Sequence, residues 1–234
     1  MNERETDLVV VGMAYFEVFV PPHQRPPAGE ELFVDGMQLA LGGALNSATV
    51  AAALGLQVTL CVPLGQGIVD QAVVQLTKRL GITLEPLAAS DNPAISLVFS
   101  NASDRSFVST SEFKALTKVK QLPKTRWVHV PGLEEADRLE EPLALARRDG
   151  ARISVSASWS PGQLDQLARR NSPAWDLLVL NEKEALRACS DVASAPKRLA
   201  GAADSVLVTL AANGVSGVLE GTRLQSPAET AQVF

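Results

Sequence analysis

The chain has 234 residues, 46% of them hydrophobic and 20% charged, with 21 Lys and Arg against 26 Asp and Glu for a net charge of −5. That balance excludes a disordered chain and supplies apolar material for one large domain. It also argues against nucleic acid as a partner, because phosphate binding needs clustered Lys and Arg, and the only dense basic stretch, residues 114–124, is interrupted by apolar residues. Two cysteines, Cys61 and Cys189, in a chain this long point to buried thiols in a reducing compartment rather than a disulfide scaffold. The polar start, residues 1–7, does not read as a secretory signal, and no apolar run approaches the roughly 20 residues of a membrane helix. A cytoplasmic protein with no membrane partner is expected.

Asp7-Leu-Val-Val-Val-Gly12 is a short, continuous, Val-rich run ended by glycine, the pattern of a buried strand in a parallel sheet. Similar runs recur at residues 58–64, 127–130, 153–157, 177–180 and 206–210. Between them lie helix-like segments at 44–54, 68–80, 135–148, 161–170 and 182–188. Strands alternating with helices predict βαβ units and a parallel sheet. Two regions break the rhythm. Residues 15–20 and 32–41 flank a Pro/Gly-rich turn holding His23, and residues 95–100 and 105–110 flank Asn101-Ala-Ser-Asp104. They read as extended pairs that leave the main sheet and form a small β-layer over its carboxyl edge, where ligands bind in open α/β sheets. The whole of 1–234 is expected to be one α/β domain with lid segments at about 15–41 and 93–110.

Several stretches carry candidate chemistry. Gly42-Gly43-Ala-Leu-Asn46 opens a helix that stops at Gly55; paired glycines there let a ligand approach the backbone, and Asn46 can donate and accept to a hydroxyl-rich ligand. A tight turn is the plainer explanation of the two glycines. Gly65-Gln-Gly67 has the first two glycines of a dinucleotide fingerprint, but Asp70 replaces the third and would repel a pyrophosphate; Glu85 stands about where a ribose-binding acid would. Asn181-Glu-Lys-Glu184 follows a strand. It reads as a capping box, and its polar groups can also serve a hydrated Mg²⁺ or phosphate oxygens. Thr209 to Gly214 ends a further strand in a small-residue turn that could admit a nucleotide. Two histidines, His23 and His129, without a spaced Cys/His set exclude a zinc site of the usual pattern, and no G-x-S-x-G elbow supports a hydrolase.

Taken in order, these pieces resemble the ribokinase-like (PfkB) carbohydrate kinase family. The carrying residues are Gly12, Gly42-Gly43-Ala-Leu-Asn46, Leu54-Gly55-Leu-Gln-Val58, Leu76-Thr-Lys-Arg-Leu80-Gly81-Ile82, Pro93-Ala-Ile-Ser-Leu-Val98, Asn181-Glu-Lys-Glu184 and Val208-Thr209-Leu210. The resemblance implies a doubly wound, mostly parallel α/β sheet with a small β lid. It further implies phosphoryl transfer from ATP, with Mg²⁺, to a hydroxyl of a sugar or sugar-like molecule, and a possible homodimer through the lid. By position, Glu17, Gly42, Gly43 and Asn46 would contact the sugar. Asn181 and Glu184 would organise Mg²⁺ and phosphate, and Thr209 and Gly214 would lie near the nucleotide.

The chain also departs from the family pattern. Leu41 replaces one glycine, Glu17 stands for an aspartate, Gln66-Gly67 for Asp-Asp, and Asp70 for a glycine. Ser156 and Ser158 stand for Asp and Asn, and Ala211 for a glycine. The family's Gly-Ala-Gly-Asp segment, which supplies the anion hole and the base, is expected just after Gln232-Val233-Phe234, so no catalytic residue is assigned within the chain. The expectation is a sugar kinase-like chain truncated before that segment. The alternatives are a non-catalytic small-molecule-binding or regulatory relative and, further off, a dinucleotide-binding protein.

Overall fold

The Val-rich run forms β1 (Thr6–Val11), in which Val9, Val10 and Val11 are fully buried. Neighbours on both faces of the sheet explain why the run is continuous rather than alternating. The chain then leaves the main sheet through Gly12 and Met13 into β2 (Ala14–Val20), which pairs with β3 (Gln38–Gly43). Helix α1 (Ala44–Ala53) follows directly, then β4 (Val58–Pro63), α2 (Ile68–Leu80) and β5 (Thr83–Leu87). Strands β6 (Ile95–Ser100) and β7 (Arg105–Thr110) pair antiparallel, and β8 (Thr125–Val130) returns to the main sheet. After it come α3 (Leu133–Arg138), α4 (Glu140–Arg148), β9 (Arg152–Ser156), α5 (Pro161–Leu167), β10 (Trp175–Asn181), α6 (Glu182–Cys189), α7 (Ala195–Arg198) and β11 (Ala203–Thr209). A hairpin of β12 (Val215–Leu219) and β13 (Thr222–Ser226) ends the described chain. This computed structural model describes residues 6–21, 26–87, 92–100 and 104–229. His23, most of the Asn101–Asp104 turn and residues 232–234 lie outside them.

The main sheet runs β13-β12-β11-β10-β9-β8-β1-β4-β5, parallel from β11 to β5, with the last hairpin antiparallel at one edge. Successive residues of β1 enter opposite cores. Val9 and Val11 join the larger one, with residues of α3 to α7, and Val10 joins a smaller one with α1 and α2. The sheet is therefore wound on both faces, as expected for the α/β class. The four segments that lacked a helical period form a second, separate sheet in the order β3-β2-β6-β7.

Several elements differ from the sequence reading, each for a physical reason. Residues 32–37 have no partner strand, and Leu32, Phe33 and Met37 are exposed; pairing begins only at Gln38, opposite Phe19. The single helix expected over 135–148 is broken at Leu139. Pro142 has no N–H to continue the ladder, so α4 restarts with the proline in its first turn. The helix at 161 ends at Leu167, short of 170. Strand β5, with Pro86 inside it, reads poorly as a strand, but it is the edge strand, where proline is tolerated.

Candidate functional site

The order of the main sheet fixes where a ligand can enter. From β1 the chain builds β4 and β5 on one side, then returns to place β8 on the other. The crevice between β1 and β8, at the carboxyl ends of the strands, is thus a topological switch point. Gly12 follows β1 here, and Pro131 and Gly132 follow β8. The backbones approach so closely that a Cβ on Gly12 would lie 2.8 Å from the Pro131 ring.

The Gly42-Gly43 turn joins the small sheet to α1 beside this crevice. Gly43 has φ 64° and ψ −130°, a conformation essentially reserved for glycine. A Cβ there would also lie 2.3 Å from the Met13 carbonyl oxygen. That carbonyl accepts the Ala44 N–H at 2.9 Å, which fixes the first residue of α1. No side chain caps α1, so its next N–H groups have no side-chain acceptor. Asn46 is exposed in this first turn. Glu17 lies on β2, and its carboxylate rests on the α-carbon of Gly42; a Cβ there would be 2.0 Å from Glu17 Oε1. Partial burial raises the Glu17 pKa, and the positive charge of Arg105 partly offsets the rise. Glu17, Gly42, Gly43 and Asn46 are therefore brought together.

Asn181 and Thr209 are register partners at the carboxyl ends of β10 and β11. Glu184 is 6% exposed and forms a reciprocal capping box with Asn181. Its Oε2 accepts the Asn181 N–H at 2.8 Å, while Asn181 Oδ1 accepts the Glu184 N–H at 2.9 Å. Burial raises the Glu184 pKa, and the two Asn181 contacts partly oppose this. Asn181, Glu184 and Thr209 thus share one stretch of the edge. Gly214 lies beside Thr209, since its carbonyl accepts the Leu210 N–H at 2.7 Å and the next residue, Val215, is the register partner of Thr209. It has φ 83°, with the Ser226 carbonyl oxygen 2.0 Å from where a Cβ would be, so packing against the end of β13 already requires glycine. Among the described residues there is no group of three or more His, Cys, Asp or Glu suited to hold a metal ion.

The Gly65–Gly67 turn offers its amides to Asp70, not outward. Asp70 Oδ1 accepts the Gly65 N–H at 2.9 Å and Oδ2 the Gly67 N–H at 2.8 Å. The chain's own carboxylate occupies the donors that a pyrophosphate would need.

Two features escaped sequence reasoning. Asp104, at the hairpin between β6 and β7, forms an ion pair with Lys183 in the first turn of α6. The small sheet therefore spans from the α1 end of the edge to the α6 end. Glu135, 6% exposed, lies in the switch-point crevice between Gly12, Gly132 and Met13. A glutamate three residues after a glycine and inside an apolar helix face was the available signal for it.

Residues 5–233 match the family described as pfkB family carbohydrate kinase. No curated protein matches significantly in sequence. Among solved structures, an Arabidopsis thaliana ribokinase complexed with ribose and ATP is similar at TM-score 0.71 and 18% identity, over 95% of this chain and 78% of that one. An adenosine kinase from Sinorhizobium meliloti is similar at TM-score 0.76 and 17% identity, over 98% and 82%. A Methanocaldococcus jannaschii nucleoside kinase is similar at TM-score 0.75 and 15% identity, over 98% and 79%. At these identities the structural likeness establishes the fold.

Proposed function

Because the chain belongs to the pfkB family of carbohydrate kinases, we propose that its carboxyl edge binds a sugar or sugar-like hydroxyl compound beside ATP, for phosphoryl transfer to that hydroxyl. The observation that carries this reading is the convergence of Glu17, the Gly42-Gly43 turn and Asn46 at an uncapped helix start. Sugar hydroxyls both donate and accept. The Glu17 carboxylate accepts, the first-turn N–H groups donate, and the Asn46 amide does both. The raised Glu17 pKa reflects a partly desolvated carboxylate, for which a hydroxyl donor would be a favourable partner.

On the same reading, Asn181, Glu184 and Thr209 attend the phosphates of ATP, with Gly214 on the nucleotide side. Mg²⁺ fits this region only in its usual manner, with water and phosphate as most of its ligands and one or two carboxylates nearby. Glu184 would supply that carboxylate through the oxygen left free of the Asn181 amide. When bound, Mg²⁺ would neutralise charge on the transferring group. The small sheet acts as a lid, and its Asp104–Lys183 contact holds it over the edge.

The outer face of that sheet supports a homodimer. Val18, Leu39, Leu97 and Val108 form one cross-strand row, and Leu39 and Val108 are 64% and 63% exposed. Covering such a row with a second copy removes apolar surface from water. Among the described residues no helix is long and apolar enough to cross a membrane.

Calorimetric titration with D-ribose, adenosine and a wider sugar panel, with and without ATP and Mg²⁺, tests the proposal. Saturable binding of a panel member is expected. Asn46→Ala should weaken it by about 0.5–1.5 kcal/mol while leaving the melting temperature unchanged, since Asn46 is exposed and caps nothing. Binding that ignores Asn46→Ala would overturn the assignment of this edge.

A further inference from the structure

Met13 is where the small sheet meets the main one. It follows β1, precedes β2, and is 2% exposed. On one side its carbonyl oxygen accepts the Ala44 N–H at 2.9 Å, and Gly43 is closed down on that same oxygen. On the other side the Glu135 side chain packs against Gly12, the residue before Met13, with its Cγ 3.6 Å from where a Gly12 Cβ would be, and the Met13 amide helps to hold its pKa down. One peptide thus lies between a buried carboxylate and the first residue of α1.

The crevice is shaped to admit that carboxylate. A Cβ on Gly132 would lie 2.1 Å from Glu135 Oε2, and a Cβ on Gly12 would lie 3.6 Å from Glu135 Cγ. Burying a carboxylate costs free energy, and burial does raise the Glu135 pKa, an effect that the backbone amides of Met13 and Glu135 itself oppose. Glu134 adds like charge nearby but is engaged elsewhere, with Arg138 at 2.6 Å and with Gln163. Tyr15, on β2, also feels Glu135; its phenol is pushed up to about 12, chiefly by burial, with the Ser111 hydroxyl pulling the other way. For packing alone an apolar side chain would serve this crevice at lower cost.

We propose that Glu135 is a positioning residue that holds the Met13 peptide, and through its carbonyl sets the Gly43–Ala44 start of α1. Its consequence for substrate rests on the reading of Gly42–Asn46 as the sugar-contacting segment. The proposal about the helix start stands apart from that reading and is tested without any ligand. Glu135 does not touch the substrate. It fixes the peptide on which the segment hangs, so the same N–H groups and Asn46 side chain are presented in one geometry.

Amide hydrogen exchange on the full chain is the test, comparing wild type with Glu135→Gln, which keeps shape and one acceptor but loses the charge. The Ala44 amide should exchange about tenfold faster in the variant, while the Val155 and Leu178 amides in β9 and β10 keep their wild-type protection. Glu134→Gln, the same charge change one residue away, should leave Ala44 as in wild type. Unchanged Ala44 exchange in Glu135→Gln overturns the proposal. So does a uniform rise that includes Val155 and Leu178, because that reports only lost global stability. If Glu135→Gln fails to fold, Glu135→Asp keeps the charge one methylene short and carries the same comparison. A parallel titration with D-ribose bears on the sugar reading alone; failure of wild type to bind any sugar leaves the exchange result decisive for Glu135.

Discussion

Adding one methyl group at Gly42 and at Gly43 should separate a binding role from a folding role across a single peptide bond. At Gly43 the methyl group meets the Met13 carbonyl oxygen at 2.3 Å and the Tyr15 ring at 2.7 Å, and the backbone sits at φ 64°, ψ −130°. Neither contact is the loose end of a flexible chain: Met13 is buried at the junction of the two sheets, and Tyr15 packs on the larger core. The strained conformation alone costs about 1–3 kcal/mol, and displacing Met13 adds to it. With about 2 kcal/mol as a working value, Gly43→Ala should lower the melting temperature by about 4–8 °C for a chain of this size. At Gly42 the three atoms nearest the methyl group all belong to the Glu17 carboxylate, the closest being Oε1 at 2.0 Å, and that group ends a flexible side chain on a half-buried strand. Glu17 swings aside, the cost in stability is smaller than at Gly43, and the carboxylate is lost from the site. Thermal unfolding and sugar titration of both variants give the comparison. Equal melting temperatures for the two would refute the steric argument. Unchanged affinity in Gly42→Ala would remove Glu17 from the proposed site.

Two further outcomes follow from the edge and the sheet. Asn181→Ala removes the side-chain half of the capping box and should cost about 1 kcal/mol in urea unfolding, as loss of an N-cap usually does. A variant as stable as wild type would show that the cap contributes nothing. His129 is buried on β8, its Nδ1 3.0 Å from Ser154 Oγ, and burial lowers its pKa to about 4. The unfolded chain therefore takes up the proton first, so this contribution is intact above about pH 6.5 and is lost as pH falls toward 4, by about 3 kcal/mol at most. The raised pKa values of Glu135 and Glu184 act in the opposite direction, favouring the fold as pH falls. The difference between wild type and His129→Gln isolates the histidine: it should grow between pH 6.5 and 4, and parallel stability curves would contradict the assignment.

Legibility in the sequence followed local chemistry. Helix α2 matched residue for residue because its apolar spacing ends at Gly81, which adopts the left-handed conformation of a helix stop. Strands β6 and β7 matched because turn residues bracket them on a clear alternation. The β12–β13 hairpin was not legible. Its turn puts Glu220 at φ 49° and Gly221 at φ 76°, and glutamate in the first of those positions does not advertise a hairpin as asparagine would. Within the proposed site, Gly43 was legible because its backbone at the start of α1, φ 64° and ψ −130°, demands glycine. Ala211, noted as standing for a glycine, does sit at φ 48°. Glu135 and the Asp104–Lys183 pair were not legible, since each depends on segments brought together only by the sheet order.

In the proposed function, ligand occupies the carboxyl edge beneath the small sheet, between the start of α1 and the ends of β10 and β11. Hydrogen exchange in the presence and absence of ATP, Mg²⁺ and the tightest-binding sugar of the panel locates it directly. Protection is predicted for the amides of Leu45 and Asn46 and for the segment from Asn181 to Glu184. Protection confined to the Gly65–Gly67 turn, or to the groove lined by Asp137, Arg147 and Trp175 behind the sheet, would contradict it.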